Sequence, residues 1–171
     1  MSENEGMADG YEGWWRVSDQ PMAPDSRLHT RIQGRYVTIF KTRGQLSCID
    51  SVCHHTGGDL ANGGLMDIED LGVTVVSCPL HMYKIDLQGR KVFQSLYFDP
   101  ATGKPGPAQW KLGKLVQRAH DCREQATAAG AGVELRLRVS ADEPCSSDRD
   151  ASSDVCGQHF ALESFVPLRV E

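Results

Sequence analysis

Cys53-His54-His55 and, further along the chain, Cys78-Pro79-Leu80-His81 are the segments from which the fold and the function can be predicted. Each segment places a cysteine close to a histidine, so together they offer two thiolates and two imidazoles. These ligands bind zinc, or the iron of iron–sulfur clusters, rather than calcium or magnesium. Cys53, His55, Cys78 and His81 are therefore predicted to bind a metal centre of one of these two kinds.

The order of the four residues favours one kind over the other. Zinc fingers usually group two Cys in one close pair and two His in another, with spacings such as C-x₂₋₄-C and H-x₃₋₅-H. Here each close pair is mixed, and residues 56–77 separate the two pairs. Two His replace two Cys on one iron of one class of [2Fe–2S] cluster. Mixed pairs therefore favour a [2Fe–2S] cluster, with a zinc site as the alternative.

The composition limits the class of protein. The 171 residues suffice for one domain with a sizeable core. Lys and Arg number 18 against 23 Asp and Glu, and the net charge of −5 argues against nucleic-acid binding. No apolar run reaches the ~18–20 residues that span a bilayer, and the acidic start does not resemble a signal peptide. We expect a cytoplasmic monomer without a membrane anchor, in which most of the six cysteines stay reduced.

Short runs of aromatic and β-branched residues between turn residues predict an all-β fold. Acidic residues 1–12 are expected to form a disordered tail before a single unit, 13–168. The first four predicted strands form an antiparallel meander: Trp14–Val17, Arg27–Gln33, Tyr36–Lys41 and Leu46–Ile49. The later ones are Val73–Ser77, a hairpin of Tyr83–Leu87 and Lys91–Phe93, Trp110–His120, Val133–Val139 and a strand near His159–Val166.

Three predictions concern individual stretches of this pattern. Val73–Ser77 is almost continuously branched, which predicts burial on both faces of the strand. Ala126–Gly132 is rich in Ala and Gly and could end a short helix instead of belonging to a strand. Residues 141–157 are polar and are predicted to form an insertion or a mobile loop.

The residues around the two ligand pairs resemble the Rieske iron–sulfur family, specifically its soluble ferredoxins and the Rieske domain of aromatic-ring oxygenases. The resemblance rests on residues 53–60, CHHTGGDL, and residues 78–87, CPLHMYKIDL, closed by Gly89. It continues weakly into residues 106–108, which look like the proline-containing loop that covers the cluster in that family. It spans roughly residues 13–139.

This resemblance implies a Rieske-type antiparallel β-sandwich with an inserted cluster-binding subdomain. The inserted subdomain would comprise residues 51–108, and the base subdomain would comprise residues 13–50 plus 109–168.

The resemblance also implies the ligand roles. Cys53 and Cys78 would hold the inner iron of the cluster. His55 and His81 would hold the outer, more exposed iron. His54 would be a bystander.

Two further features follow from the family pattern. Glycines in and after the first loop leave room for backbone N–H groups to approach the cluster, although turn formation alone could explain the last two. They are Gly57, Gly58, Gly63 and Gly64. High-potential Rieske proteins carry an extra Cys in each loop, and a Ser and a Tyr that donate hydrogen bonds. The corresponding positions here are Gly58, Leu80, Tyr83 and Ile85, which predicts a potential toward the low end of the ~−150 to +300 mV range.

The function implied is that of a soluble one-electron carrier between redox partner proteins: a reductase as donor, and an oxygenase or reductase as acceptor. Rieske oxygenases need a second iron, held by two His and a carboxylate in a separate large domain, for which this chain has no room. We therefore expect no catalysis by the chain alone. The alternatives are an accessory subunit of such an oxygenase, and a structural zinc or interaction module.

Some residues outside the ligand pairs also carry expectations. No acid occurs between residues 100 and 120, so four cations there could steer an acidic partner or could simply form a solvated strand face. They are Lys104, Lys111, Lys114 and Arg118. Cys48 is predicted to be a buried strand residue. Cys145 and Cys156 could pair in an oxidising compartment, but free thiols are expected.

Overall fold

The computed structural model describes residues 13–128, 130–153 and 165–170. These residues form β-strands and short 3-10 helices, with no α-helix among them, and every strand pair is antiparallel. The all-β antiparallel fold predicted from the sequence is confirmed. None of the helices in these ranges has the length and apolar character to cross a bilayer. The predicted tail, 1–12, and most of the predicted last strand lie outside the described residues.

The described strands, in chain order, are β1 (Trp15–Ser18), β2 (Arg27–Ile32), β3 (Arg35–Thr42), β4 (Gln45–Asp50), β5 (Gly64–Ile68), β6 (Val73–Ser77), β7 (Lys84–Asp86), β8 (Arg90–Ser95), β9 (Gln109–Leu115), β10 (Ala119–Thr127), β11 (Gly130–Arg136) and β12 (Leu168–Arg169). A larger sheet has the order β12-β1-β11-β10-β4-β3-β2, and a smaller sheet has the order β5-β6-β7-β8-β9. The chain thus enters the smaller sheet after β4 and returns to the larger one at β10.

The hairpins of the larger sheet follow from their turn residues. Gln33 and Gly34, between β2 and β3, have φ angles of 48° and 84°, and Arg43 and Gly44, between β3 and β4, have φ angles of 52° and 74°. Two consecutive positive φ angles define the two-residue turn that matches the twist of antiparallel strands. These turns set the register of β2, β3 and β4, which form the meander predicted for them. The predicted first strand of that meander is placed wrongly, because β1 pairs with β11 and β12 and not with β2.

The structure also differs from the sequence-based strands at other positions. The predicted strand Trp110–His120 is two strands, because residues 116–118 carry the chain from the smaller sheet to the larger one. Ala126–Gly132 lies in the β10–β11 hairpin rather than in a helix. Strand β5 has no counterpart in the prediction, because four of its five residues are exposed and show no alternation of apolar and polar residues.

The buried core joins the two sheets. One apolar cluster packs against the larger sheet alone and includes Val17, Ile39 and Leu135. A second cluster combines side chains of both sheets: Phe40 and Ile49 from the larger, Val76 and Ile85 from the smaller, with Cys53, Cys78, Leu60, Leu87 and Val116. Val75 belongs to a separate cluster on the other face of the smaller sheet. Val73–Ser77 is thus buried on both faces, as predicted.

Residues 145–151, which we call the anchoring segment, belong to the stretch predicted as an insertion or mobile loop. The segment contains a 3-10 helix, Ser146–Arg149, and packs against the base. The Ser147 N–H donates to the Val116 carbonyl at 3.0 Å, and the Tyr36 N–H donates to the Ala151 carbonyl at 2.9 Å. The polar residues of this segment are therefore used in tertiary contacts. Cys156, for which a free thiol is expected as for Cys145, lies outside the described residues.

The subdomain boundaries remain a proposal, with one change. The prediction gave residues 109–168 to the base, whereas β9 pairs with β8 in the smaller sheet. We therefore propose that the inserted subdomain ends after Leu115.

Candidate metal centre

Two loops with the same backbone hydrogen bonds carry the four predicted ligands. In the first ligand loop, residues 53–58, the Cys53 N–H donates to the Gly58 carbonyl and the Gly57 N–H donates to the Cys53 carbonyl. In the second ligand loop, residues 78–83, the Cys78 N–H donates to the carbonyl at position 83 and the N–H at position 82 donates back to Cys78. The fourth residue after each cysteine has a positive φ, 79° at Gly57 and 59° at Met82. Each loop thus folds back onto its own cysteine.

The structure brings the two thiols together in the interior. Cys53 is 0% exposed and Cys78 is 2% exposed, and both belong to the core cluster that joins the sheets. The interaction with the Cys53 thiol lowers the pKa of Cys78, against the opposing effect of burial. The same interaction, together with burial, raises the pKa of Cys53.

The structure also brings the two predicted imidazoles together, at the surface. His55 and His81 are both exposed, and their ring centroids lie 4.9 Å apart with the planes at 78°. The Thr56 Oγ1 lies 3.2 Å from the His81 Nδ1. The Tyr83 ring is 4.4 Å from the His55 ring. The four residues therefore form a buried thiol pair and an exposed imidazole pair.

The glycines near the loops separate into two groups. A Cβ atom at Gly58 would lie 2.3 Å from the Cys78 Sγ, and one at Gly63 would lie 2.5 Å from the Ser77 carbonyl oxygen. A Cβ atom at Gly64 would meet nothing within 4 Å. Close packing thus requires glycine at 58 and 63, whereas position 64 has room for a side chain.

The buried Gln117 side chain holds the first ligand loop in place by hydrogen bonds. This residue was not identified from the sequence. Its buried side-chain amide donates to the carbonyls of Asp50, at 2.9 Å, and Val52, at 2.7 Å. Its Oε1 accepts from the His54 N–H at 3.0 Å. All three partners are backbone groups more than 60 residues away in the chain, so no side-chain pattern in the sequence indicates this contact.

A buried polar network lies below the same loop. Asp50 accepts hydrogen bonds from Arg35 at 2.7 and 2.6 Å, and from Ser147. The His120 Nδ1 accepts from the Arg138 N–H, so its Nε2 carries the proton and donates to Asp50 at 2.8 Å. Burial alone would raise the pKa of Asp50, but the bonds from His120 and Arg35 hold it below its usual range.

The remaining histidines have other roles. His120 is a structural residue of the network below the loop. The His29 Nδ1 lies 3.1 Å from the Thr38 Oγ1 and 2.9 Å from the Ser51 Oγ. Burial lowers the pKa of His29 to about 4. Both histidines are buried and lie outside the two ligand loops.

The four cations between residues 100 and 120 differ in their exposure and in their contacts. Arg118 is buried, and its guanidinium donates to Asp148 at 2.7 and 2.6 Å. It is therefore unavailable to a partner, and the expectation that it could steer one is wrong. Lys104, Lys111 and Lys114 are exposed.

The donor set fits a two-iron cluster. Within the described ranges, no three His, Cys, Asp or Glu side chains converge as ligands of one metal ion. A Rieske-type cluster takes two side chains at each iron, and the thiol pair and the imidazole pair offer two each. Gly58 has no side chain, and a Cβ atom there would meet the Cys78 sulfur, so glycine at this position leaves the space beside the thiols open.

Comparisons with known proteins point to one family. The model of the soluble Rieske-type ferredoxin family matches residues 18–129. A Rieske domain-containing protein of Homo sapiens is 33% identical over 132 residues, covering 75% of this chain and 76% of that protein. Cholesterol 7-desaturase nvd 1 of Ciona intestinalis is 32% identical over 82 residues, which are 47% of this chain and 16% of that protein.

One solved structure is also similar, a complex of reduced oxygenase and oxidised ferredoxin in carbazole 1,9a-dioxygenase. The identity is 15% and the TM-score 0.43, over 78% of this chain and 100% of that chain. The family match covers both ligand loops and most of the two sheets, and the human relative is similar over three quarters of its length. This chain therefore belongs to the soluble Rieske-type ferredoxin family.

Proposed function

We propose that Cys53 and Cys78 bind the inner iron, and His55 and His81 the outer iron, of a Rieske-type [2Fe–2S] cluster. The observation that supports this most directly is the pairing of two buried thiols and two exposed imidazoles on loops of matching backbone conformation. Such a cluster accepts and releases one electron.

The chain's own residues would determine how that electron is exchanged. The buried thiols keep water away from one side of the centre, since they lie in the core between the two sheets. The exposed rings of His55 and His81 offer the shortest route to a docked protein. Gly58 and Leu80 stand where high-potential Rieske proteins carry the extra cysteines, and Tyr83 and Ile85 stand where they carry the Ser and Tyr donors. These differences support a reduction potential toward the low end of the family range.

We infer that the protein is a cytoplasmic one-electron carrier, monomeric and not catalytic alone. It would take electrons from a reductase and deliver them to an oxygenase or another reductase. An accessory subunit of a Rieske-type oxygenase would use the same centre but would stay bound to its enzyme. A structural zinc module would use the same four side chains without electron transfer.

Metal analysis and spectroscopy separate the [2Fe–2S] centre from the zinc module. Protein purified without oxygen is expected to contain iron and acid-labile sulfide in equal amounts, two of each per chain, and to titrate with one electron. Cys53→Ser, Cys78→Ser, His55→Ala and His81→Ala should each lose the visible spectrum, whereas His54→Ala, next to a ligand, should retain it. A colourless protein with one zinc per chain would reject the proposal in favour of the zinc module.

A further inference from the structure

A basic cavity adjoins the exposed imidazoles. Its volume is about 550 Å³, and its lining includes His55, Tyr83, Lys91, Lys114 and Arg149. None of the described residues that line it is acidic. This local positive charge contrasts with the net charge of −5 of the whole chain.

The cations are held at the cavity by different contacts. The Lys91 Nζ lies 5.3 Å from the centre of the Tyr83 ring, which in turn packs against His55. Arg149 donates to the carbonyls of His54 and His55 at 3.3 Å, and is partly balanced by Asp150 at 2.9 Å. Among the described residues, Lys91 and Lys114 form no ion pair with a carboxylate. Two lysine charges at the cavity thus have no carboxylate partner within the described part of the chain.

The surroundings of the cavity indicate the kind of occupant. Leu80 and Met82, on either side of His81, are 58% and 60% exposed. A protein interface combines apolar contacts with complementary charges that orient the partners, whereas a small anion would use only the charged part. The cavity and the apolar residues meet at the imidazole pair. The partner that matches both is a protein surface with carboxylates beside an apolar patch.

We propose that this cavity is the docking site for an acidic surface of the redox partner, with Lys91 and Lys114 receiving carboxylates of that partner. The proposal deepens the proposed function, because docking there would place the partner against His55. It also replaces the sequence-based set of steering residues. Lys114 remains, Lys91 and Arg149 are added, and Arg118 is removed because Asp148 already pairs with it.

Titration with an acidic peptide tests the site without a partner in hand. The full chain, loaded with its cluster, is titrated calorimetrically with a hexaglutamate peptide at about 10 mM ionic strength, where the screening length is about 30 Å. We expect binding that weakens about tenfold in Lys91→Gln/Lys114→Gln, because two attractive charges at contact distance are removed. Lys111→Gln is the control, since this lysine lies on the same strand as Lys114 but does not line the cavity.

Three results would overturn the proposal: no binding of the peptide by the native chain, an equal loss of affinity in the control, or no loss in the double variant. A parallel titration with inorganic phosphate distinguishes a small-anion site. Phosphate that binds through both lysines and displaces the peptide at equal concentration would show a small-anion site and reject partner docking. Equal circular dichroism spectra of all variants establish that the folded state is preserved.

A second readout uses the loaded protein and small oxidants of opposite charge. One electron passes from the reduced protein to hexacyanoferrate(III), giving hexacyanoferrate(II), or to tris(phenanthroline)cobalt(III), giving the cobalt(II) complex. If the cavity attracts anions, the rate of electron transfer to the anionic oxidant should fall as salt is added, although the chain as a whole is negatively charged. The double variant should lose this salt dependence. A rate that rises with salt in the native chain would contradict the inference. Absence of a cluster would reject the proposed function instead, and the same peptide titration on the unloaded chain would still test whether Lys91 and Lys114 bind carboxylates.

Discussion

The two ligand loops pack tightly against each other at Gly58. A methyl group there would stand 2.3 Å from the Cys78 Sγ, and the Gly58 carbonyl is held by the Cys53 N–H at 2.8 Å. Because both loops are fixed in this way, we expect Gly58→Ala to lower the cluster content per chain roughly threefold or more, by overpacking. Iron and sulfide assays on purified protein, with the visible spectrum, measure this content.

Gly64→Ala is the matched control for that change. A Cβ atom at Gly64 would contact nothing within 4 Å, so this variant should keep the full cluster content. A Gly58→Ala protein with native iron content would show that the loops can separate and that the close approach is dispensable.

Gln117 gives a second prediction for a single residue. Gln117→Leu keeps most of the side-chain volume but leaves the carbonyls of Asp50 and Val52 and the N–H of His54 without their partner. Each unsatisfied buried group costs about 1–3 kcal/mol, so the free energy of unfolding should fall by about 3 kcal/mol or more. Denaturant unfolding followed by circular dichroism measures it, with the exposed Gln45→Leu as control. An unchanged unfolding midpoint would show that water or backbone movement satisfies these groups.

We expect the stability of the anchoring segment to depend on pH. Its Asp148 accepts from Arg118 and Arg35 and from the Cys145 N–H. Partial burial opposes ionisation, but these bonds hold the pKa of Asp148 well below its usual range. A carboxyl whose pKa is lower in the folded chain adds stability at pH values above its unfolded pKa of about 3.9, and loses it as the pH falls through the folded value.

Asp148→Asn should therefore destabilise the protein by about 2 kcal/mol at pH 7, an estimate for a partly exposed ion pair that includes solvent screening. The difference from the native chain should shrink below pH 4, because the Asp148 carboxyl of the unfolded chain then takes up a proton while that of the folded chain is still held ionised. Thermal unfolding at pH 7 and at pH 3 measures both values. Asp142→Asn, an exposed change just before the segment, should have no effect at either pH, and a constant difference for Asp148→Asn would contradict the role of ionisation.

The elements that the sequence predicted correctly are those specified by local patterns. Two turn dipeptides with positive φ, Gln33-Gly34 and Arg43-Gly44, fix the β2–β4 meander. The branched run Val73–Ser77 has side chains in two different core clusters, as its pattern requires. The mixed Cys and His pairs also give the four side chains that the fold brings together.

The elements that the sequence did not predict depend on contacts between distant residues. Strand β5 is exposed and is held mainly by pairing with β6, so its own residues show no strand pattern. Trp110–His120 is predicted as one strand from its own residues, because the change of sheet at residues 116–118 depends on contacts with distant residues such as Gly89 and Ser147. The anchoring segment is polar because its partners are buried arginines, 30 and 113 residues away in the chain. Composition alone therefore made it resemble a loop.

For the whole molecule, the position of the two thiols would link binding of the proposed [2Fe–2S] cluster to the stability of both sheets. Cys53 and Cys78 share a core cluster with Phe40 of the larger sheet and Ile85 of the smaller one. A cofactor that binds the folded chain and not the unfolded chain stabilises the fold by its binding free energy. Loss of the cluster should therefore weaken the contact between the sheets rather than only the ligand loops.

Cys53→Ser should fail to hold the proposed [2Fe–2S] cluster. We expect it to unfold in a single transition, with a Tm about 10 °C below that of the loaded native chain. For a chain of this size, that shift corresponds to a few kcal/mol in the free energy of unfolding. Differential scanning calorimetry measures both the Tm and the number of transitions. Cys48→Ser is the matched control. Cys48 is equally buried, but it belongs to the apolar core of the larger sheet alone. Its Tm should fall while its iron content stays native. Two separate transitions in Cys53→Ser, or a Tm equal to that of the loaded chain, would show that the sheets are stable without the centre between them.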